Sequence, residues 1–251
     1  VIISQDDRRF FAADEEYRRA FAQWPHERIR VKDARTMYDG YSRGYGQSSG
    51  EIVVFSHDDI QFAVSDFAAR LAMALSGADL VGIAGTTKLC ASGLLQSGHP
   101  NLFGTVTHYS PTTKTYEFSA LSLRGPHIDG AQALDGVFIA ARRNWIERVG
   151  FDLHGYTGFH FYDIDFSYRC YLAGARIRIA ADLGLIHFSR GPISEEWRAA
   201  QRTFSKKFGM PIDAPATNSH WYSIPIFDRD GLKDLYAKLE ATWENISLGI
   251  F

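Results

Sequence analysis

Cysteine is scarce in this chain: Cys90 and Cys170 are the only two among 251 residues. Two thiols that far apart in sequence exclude a disulfide framework and a cysteine-rich zinc site, and they point to a reducing, cytoplasmic compartment. Long apolar runs are missing as well. Val137 to Ala141 and Leu183 to Ile186 are among the longest, far short of the roughly 20 residues that span a bilayer. A peripheral position at the inner membrane is therefore the closest approach to lipid that the sequence predicts. No basic start, apolar centre and small-residue cleavage site follows Val1. Neither sign of charge dominates: 27 Lys and Arg stand against 29 Asp and Glu, dispersed along the chain. That lacks the basic footprint of a nucleic-acid binder. There is no Gly-x-x-x-x-Gly-Lys-Ser/Thr run to cradle a phosphate, no internal repeat and no low-complexity segment.

What is present is ordinary globular material. Hydrophobic residues make up 45% and charged residues 22%, enough for a sizeable core and far from the disordered class. Nothing resembles a linker, so residues 1–251 are read as one domain. Val1 to Ser4 reads as a buried strand, Phe11 to Trp24 as a helix stopped by Pro25, and Arg28 to Val31 as a half-buried strand. A Gly- and Tyr-rich stretch from Met37 to Gly50 leads into the strand Ile52 to Phe55. A helix is expected from about Gln61, carrying Phe62, Phe67, Leu71 and Leu75, followed by the strand Leu80 to Ala84. Strands alternating with helices predict an α/β fold with a mostly parallel sheet and crossover helices.

From Thr86 to Gly130 the periodicity fades, which suits loops or a small antiparallel insertion. Order returns with Leu134 to Ala140 as a strand and a short helix over Asn144 to Val149. Asp163 to Leu172 then reads as a helix ending at Gly174, and Arg176 to Ala181 and Gly184 to Phe188 as strands. Ser194 caps a helix reaching about Phe208, with Gly209 just past its end. Pro211, Pro215 and Pro225 precede a last helix built on Leu232, Leu235 and Leu239.

Three clusters at element ends can carry chemistry. His57-Asp58-Asp59 closes an apolar strand, where carboxylates of an open α/β sheet are well sited to hold a cation and, through it, a phosphate. Capping of the helix near Gln61 would use the same two aspartates equally well. His187 closes the strand Leu185 to His187 and offers an imidazole to a metal such as Mn²⁺, or it is a satisfied histidine at a strand end. Asp163 and Asp165 open a helix, where one can face a site as general base while the other complements the helix dipole. The run Gly155 to Tyr162 before them is dense in aromatics, suited either to stacking on a sugar or base or to the core.

In order along the chain stand Ala34, Gly40 and Arg43-Gly44, then Ile52-Val-Val-Phe-Ser-His57-Asp58-Asp59, then Leu134-Asp135-Gly136-Val-Phe-Ile-Ala140. Gly158-Phe-His160-Phe-Tyr-Asp163-Ile-Asp165-Phe-Ser-Tyr-Arg169 and His187 follow. This order resembles the family 2-like glycosyltransferases of the A-type nucleotide-sugar fold, over about Val1 to Gly191. Within them it is similar to a bacterial subgroup whose Asp-any-Asp metal motif is written His-any-Asp or His-Asp-Asp.

The resemblance implies a single Rossmann-like domain. Residues 1–85 would be its nucleotide-binding half, 86–191 its donor and acceptor half, and 192–251 a helical and loop tail. That tail would close over the donor with Arg190 or Trp197, or form a homodimer contact. The implied activity is metal-dependent, inverting transfer of a hexosyl group from a nucleoside-diphosphate sugar, with a UDP-sugar as the prior, to a carbohydrate, lipid-linked or protein acceptor. Asp59 and His187 would hold Mn²⁺ or Mg²⁺, and Asp163 would be the general base, with Tyr162 where many relatives have Glu. Arg43 would approach the diphosphate, Asp58 the ribose or donor sugar, and Asp135-Gly136 would lie beneath that sugar, with His160 and Asp165 completing the substrate contacts. His57 departs from the commonest motif, which has Asp there. Two rival readings share these residues: a catalytically inactive nucleotide-sugar-binding module, and a metal-dependent nucleotidyltransferase.

Overall fold

The computed structural model describes residues 1–191, 193–212 and 222–247. The β-branched start forms β1 (Ile2–Ile3), and Asp6 then caps α1 (Asp7–Ala20) by accepting the amides of Arg8 and Arg9. β2 (Arg30–Val31) and α2 (Met37–Gln47), capped by Thr36, lead into β3 (Ile52–Ser56). There follow β4 (Ile60–Phe62), α3 (Phe67–Leu75), β5 (Leu80–Gly82) and β6 (Ala84–Thr86). β7 (Leu102–Ser110), β8 (Thr115–Ser122), β9 (His127–Asp129), β10 (Ala133–Leu134) and β11 (Phe138–Arg142) come next. The remainder is α4 (Arg143–Val149), α5 (Tyr162–Leu172), β12 (Ile177–Ala180), β13 (Leu185–His187), α6 (Glu195–Phe208), β14 (Tyr222–Ile226) and α7 (Arg229–Ser247).

The strands form two sheets. The first has the order β2-β1-β3-β11-β5-β12-β9, in which β2, β1, β3, β5 and β12 run one way and β11 and β9 run against them. The expected α/β fold with a mostly parallel sheet is therefore present, but it is a mixed sheet with a reversed strand at its centre. The second sheet runs β10-β6-β7-β13-β4, with β8 paired to β7 and β14 to β8. It is a full layer rather than the small insertion expected from the sequence. The pattern of β7 hides this, because its buried face carries Thr105 and Thr107 instead of apolar residues. Thr105 is satisfied there by donating to the carbonyl of Ala181 at 2.8 Å, and Tyr236 of α7 lies 3.3 Å from it.

Three expectations are corrected at the seam between the sheets. No helix starts at Gln61: residues 60–62 are β4, which pairs antiparallel with β13, Ile60 opposite His187. Asp58 and Asp59 thus cap no helix there. Leu80 to Ala84 is broken at Ile83 into β5 and β6, one in each sheet, and Leu134 to Ala140 is broken at Asp135-Gly136 into β10 and β11. Short apolar runs do not reveal such breaks, since a strand that changes sheets stays buried on both sides of the bend. The chain crosses between the sheets at residues 57–59, at Ile83 and at 135–137, which brings the strand ends together.

The tail follows the sequence reading where it is described. Ser194 accepts the amide of Trp197 at the start of α6, and Gly209 ends it in the left-handed conformation. Pro215 lies outside the described residues. α7 buries Leu232 and Tyr236 against Phe118, and so covers one face of the second sheet. No helix among the described residues is long and apolar enough to cross a membrane.

Candidate functional site

The end of β3, the bend at 57–59 and the end of β13 converge on one point. The amide of His57 donates to the carbonyl of Val137, and that of Phe188 to the carbonyl of Asp59 at 2.9 Å, which pins both backbones. His57 Nδ1 then lies 3.2 Å from His187 Nε2, and His187 Nε2 lies 3.3 Å from Asp59 Oδ1. One ligand atom from each of the three falls within 4.8 Å of the others.

Tyr162 fixes which nitrogen of His57 is bare. Its hydroxyl has a single proton, and the carbonyl of Gly136 at 2.9 Å can only accept it. The phenol oxygen therefore accepts from His57 Nε2–H at 2.8 Å. Nδ1 is left with a free lone pair aimed at His187. Burial and the neighbouring His187 push the His57 pKa down to about 4, so the ring stays neutral. Burial works against ionisation of Asp59, but the hydrogen bond and charge of His187, helped by Ser189 and His57, hold its carboxyl below the ordinary value. Among the described residues Asp59 Oδ2 is buried with no hydrogen-bond partner. A buried orphan carboxylate oxygen beside two imidazole nitrogens is costly unless a cation meets it. Two nitrogens and a carboxylate suit Mn²⁺ better than an all-oxygen ion such as Ca²⁺.

Asp58 points elsewhere. It accepts from Ser4 Oγ at 2.6 Å, and Arg9 Nη1 stands 3.8 Å from its Oδ1 and 3.9 Å from Asp59 Oδ2. Asp163, in the first turn of α5, accepts from the amide of Gly136 at 2.8 Å. Burial, and secondly the charge of Asp135, raises its pKa to about 7. Asp135 itself accepts the amide of Val137 at 3.0 Å. The close approach of this turn to α5 requires glycine at 136, where a Cβ would lie 2.6 Å from Tyr162 Cζ and 2.7 Å from Asp163 Cβ. Phe161, just before α5, is held at φ +63, a left-handed conformation that costs a non-glycine residue roughly 1–2 kcal/mol. Its ring is anchored between Trp197 and Phe204 of α6, which lets the backbone stay there.

The structure thus gathers Asp58, Asp59, Asp135, Gly136, Asp163 and His187 around the ends of β3 and β13 and the start of α5. It places the other named residues differently. Asp165 is fully buried and accepts from Tyr156 at 3.0 Å, Arg169 at 2.7 Å and Lys207 at 2.6 Å, so it braces α5 against α6 and has no face toward a ligand. Arg43, on α2, is engaged by Asp33 and Asp39. His160 is tied through its carbonyl, which accepts from the Tyr38 hydroxyl at 3.0 Å. Trp197 packs on Phe161, and Arg190 pairs with Glu117. Sequence reasoning overlooked Tyr162 as the partner of His57 and passed over His57 as a third ligand. The His-x-Asp form of the motif was the available signal, and the bend at 57–59 is what turns His57 toward His187.

Compared with families of known sequences, the chain matches the glycosyltransferase-like family over residues 7–207, and it belongs to that family. Among solved structures it is similar to the mannosyltransferase PcManGT from Pyrobaculum calidifontis, in complex with GDP-Man and Mn²⁺. The identity is 13% and the TM-score 0.47, over 99% of this chain and 65% of that one. It is also similar to GalNAc-T7 with UDP, GalNAc and Mn²⁺, at 12% identity and TM-score 0.43, over 72% of this chain and 42% of that one. The chain therefore spans less than two thirds of either protein. No curated protein matches it.

Proposed function

We propose that this glycosyltransferase moves a sugar from a nucleoside-diphosphate donor to an acceptor hydroxyl in one inverting displacement, with Asp163 as general base. The observation that carries the reading is the opposition, across Gly136, of a carboxylate raised to about 7 and the His57, Asp59 and His187 trio. A base with a value near neutral combines a useful ionised fraction with enough basicity to accept a proton.

In the step itself, Asp163 takes the proton of the acceptor hydroxyl as that oxygen bonds to the anomeric carbon. The bond from that carbon to the diphosphate oxygen breaks, and its electron pair leaves on the nucleoside diphosphate. Attack from the face opposite the leaving group inverts the anomeric centre. The amide of Gly136 holds Asp163 in place, and burial, then Asp135, keeps its proton affinity high. His57, Asp59 and His187 would hold a divalent ion, Mn²⁺ first and Mg²⁺ second, whose charge offsets that of the diphosphate. Arg9, half-exposed beside Asp58 and Asp59, adds a cation at the same mouth.

A thermal-shift screen tests this with UDP, GDP and their sugars, with and without Mn²⁺. A nucleotide that binds the folded state raises the midpoint. The expected result is a Mn²⁺-dependent rise with one nucleotide family, lost in Asp59→Ala, together with release of that nucleoside diphosphate during turnover with acceptor. No rise with any of them refutes the reading.

A further inference from the structure

One face of the second sheet lies under α7; the other is buried at Ile60 and His187 and opens to solvent toward β8 among the described residues. Phe118 and Thr105 point under α7, where they meet Tyr236. The opposite face carries Val106 and His108 of β7 and Glu117 and Ser119 of β8, with Val106, His108 and Glu117 partly open to solvent. Cross-strand partners share a face. His187 of the metal-competent trio is the register partner of His108, and His108 that of Glu117, so the three form one row across β13, β7 and β8. The rings of His108 and His187 lie 5.5 Å apart. Arg190, three residues beyond His187, reaches back to pair with Glu117.

This row starts at the reaction centre. His57 Nδ1 lies 3.2 Å from His187 Nε2, and the ring of His108 stands 5.5 Å from that of His187. His108 is partly buried, and among the described residues its ring stacks near His187 and has no side-chain hydrogen bond. Its nitrogens are free for a ligand. Glu117 and Arg190 offset each other's charge while offering acceptors and donors in fixed planar arrays.

We propose that this open face, built on His108, Glu117 and Arg190, seats the acceptor, and that the acceptor part it reads is an uncharged sugar. The inference rests on the sugar-transfer reading above and deepens it by naming the acceptor subsite. A neutral polyol both donates and accepts, which matches an ion pair beside an imidazole. An acidic acceptor would meet Glu117, and a bare alkyl chain would leave all three polar groups desolvated. Few polar groups placed on a rigid sheet are the usual means of fixing a ligand's orientation.

The test is saturation-transfer NMR on the full chain with Mn²⁺ and the nucleoside diphosphate that gives the thermal shift. The probes are glucose, galactose, mannose, N-acetylglucosamine, rhamnose, lactose and cellobiose. At least one should bind the wild type, with affinity reduced about tenfold or more in Glu117→Gln and in His108→Phe. The Mn²⁺-dependent nucleotide shift should persist in both variants. Glu117→Gln is isosteric and keeps the fold testable if His108→Phe does not fold. A sugar that binds the variants as tightly as the wild type overturns the subsite. So does the absence of any sugar signal on nucleotide-loaded wild type. Loss of the nucleotide shift in the wild type is a different result and refutes the transfer reading instead.

Discussion

Replacing Asp163 with Asn separates catalysis from stability in opposite directions. The amide oxygen of Asn can still accept from the amide of Gly136, now 2.8 Å from Asp163 Oδ2, so the turn is kept while the base is lost. Turnover should fall by about 10²–10⁴, the usual contribution of a positioned base. Stability should rise at alkaline pH. Burial, with help from Asp135, moves the carboxyl from 3.8 to about 7 in the folded protein. Between those values the folded state keeps a proton that the unfolded state has released, so stability declines as pH rises through that window. The full penalty is reached above pH 7. At about 1.4 kcal/mol per tenfold change in proton affinity, it is on the order of 4 kcal/mol as an upper limit. The asparagine variant escapes it. Urea unfolding of both proteins at pH 3.5, 5.5 and 8 should show no advantage at the lowest pH and the largest at pH 8. Nucleoside-diphosphate release measured in parallel should show wild-type activity rising with pH through about 7. A variant that keeps more than a tenth of the turnover, or that is less stable than wild type at pH 8, refutes the assignment of Asp163 as a strained, functional carboxylate.

Further outcomes follow from the same geometry. Tyr162→Phe removes the acceptor that holds the proton on His57 Nε2, and Mn²⁺ affinity by calorimetry should weaken about 10–100-fold, as for lost partners of metal-ligating histidines. Asp165→Asn leaves Arg169 and Lys207 facing a neutral group in the interior; unfolding should be easier by about 3–5 kcal/mol, with the nucleotide-induced thermal shift preserved below the new midpoint. Gly136→Ala forces α5 away from the turn; transfer activity should be lost while circular dichroism still reports the wild-type content of helix and strand.

The parts of the fold legible in the sequence were those whose boundaries are local chemistry. Ser194 and Gly209 bracket α6 because a side-chain cap and a left-handed residue are both dictated within a few positions. The Asp163 helix ended at Gly174 for a similar reason. The second sheet escaped because its defining pairings are distant: β7 joins β13 and β6, and β14 returns from far along the chain to β8. Threonines on a buried face and a strand that changes sheets at Ile83 carry no period that a window of neighbouring residues could register.

The site divides along the same physical line. Asp59, His187 and Asp163 were visible as residues because strand ends and helix starts are where such groups collect. Their relation was not. His57 and Tyr162, 105 positions apart in the chain, meet at 2.8 Å, and that hydrogen bond decides which imidazole nitrogen is free. The spacing of two left open which of Asp163 and Asp165 faces the site, and only the family resemblance named Asp163 as the base and Asp165 as a substrate contact. The helix sends them to opposite fates, one toward Gly136 and one into the Tyr156, Arg169 and Lys207 network. Three strong side-chain donors leave Asp165 no free face for an acceptor, whereas among the described residues Asp163 has no side-chain donor and burial, then Asp135, raises its proton affinity. That contrast, rather than either residue's position in a motif, is the physical reason to assign the base to Asp163.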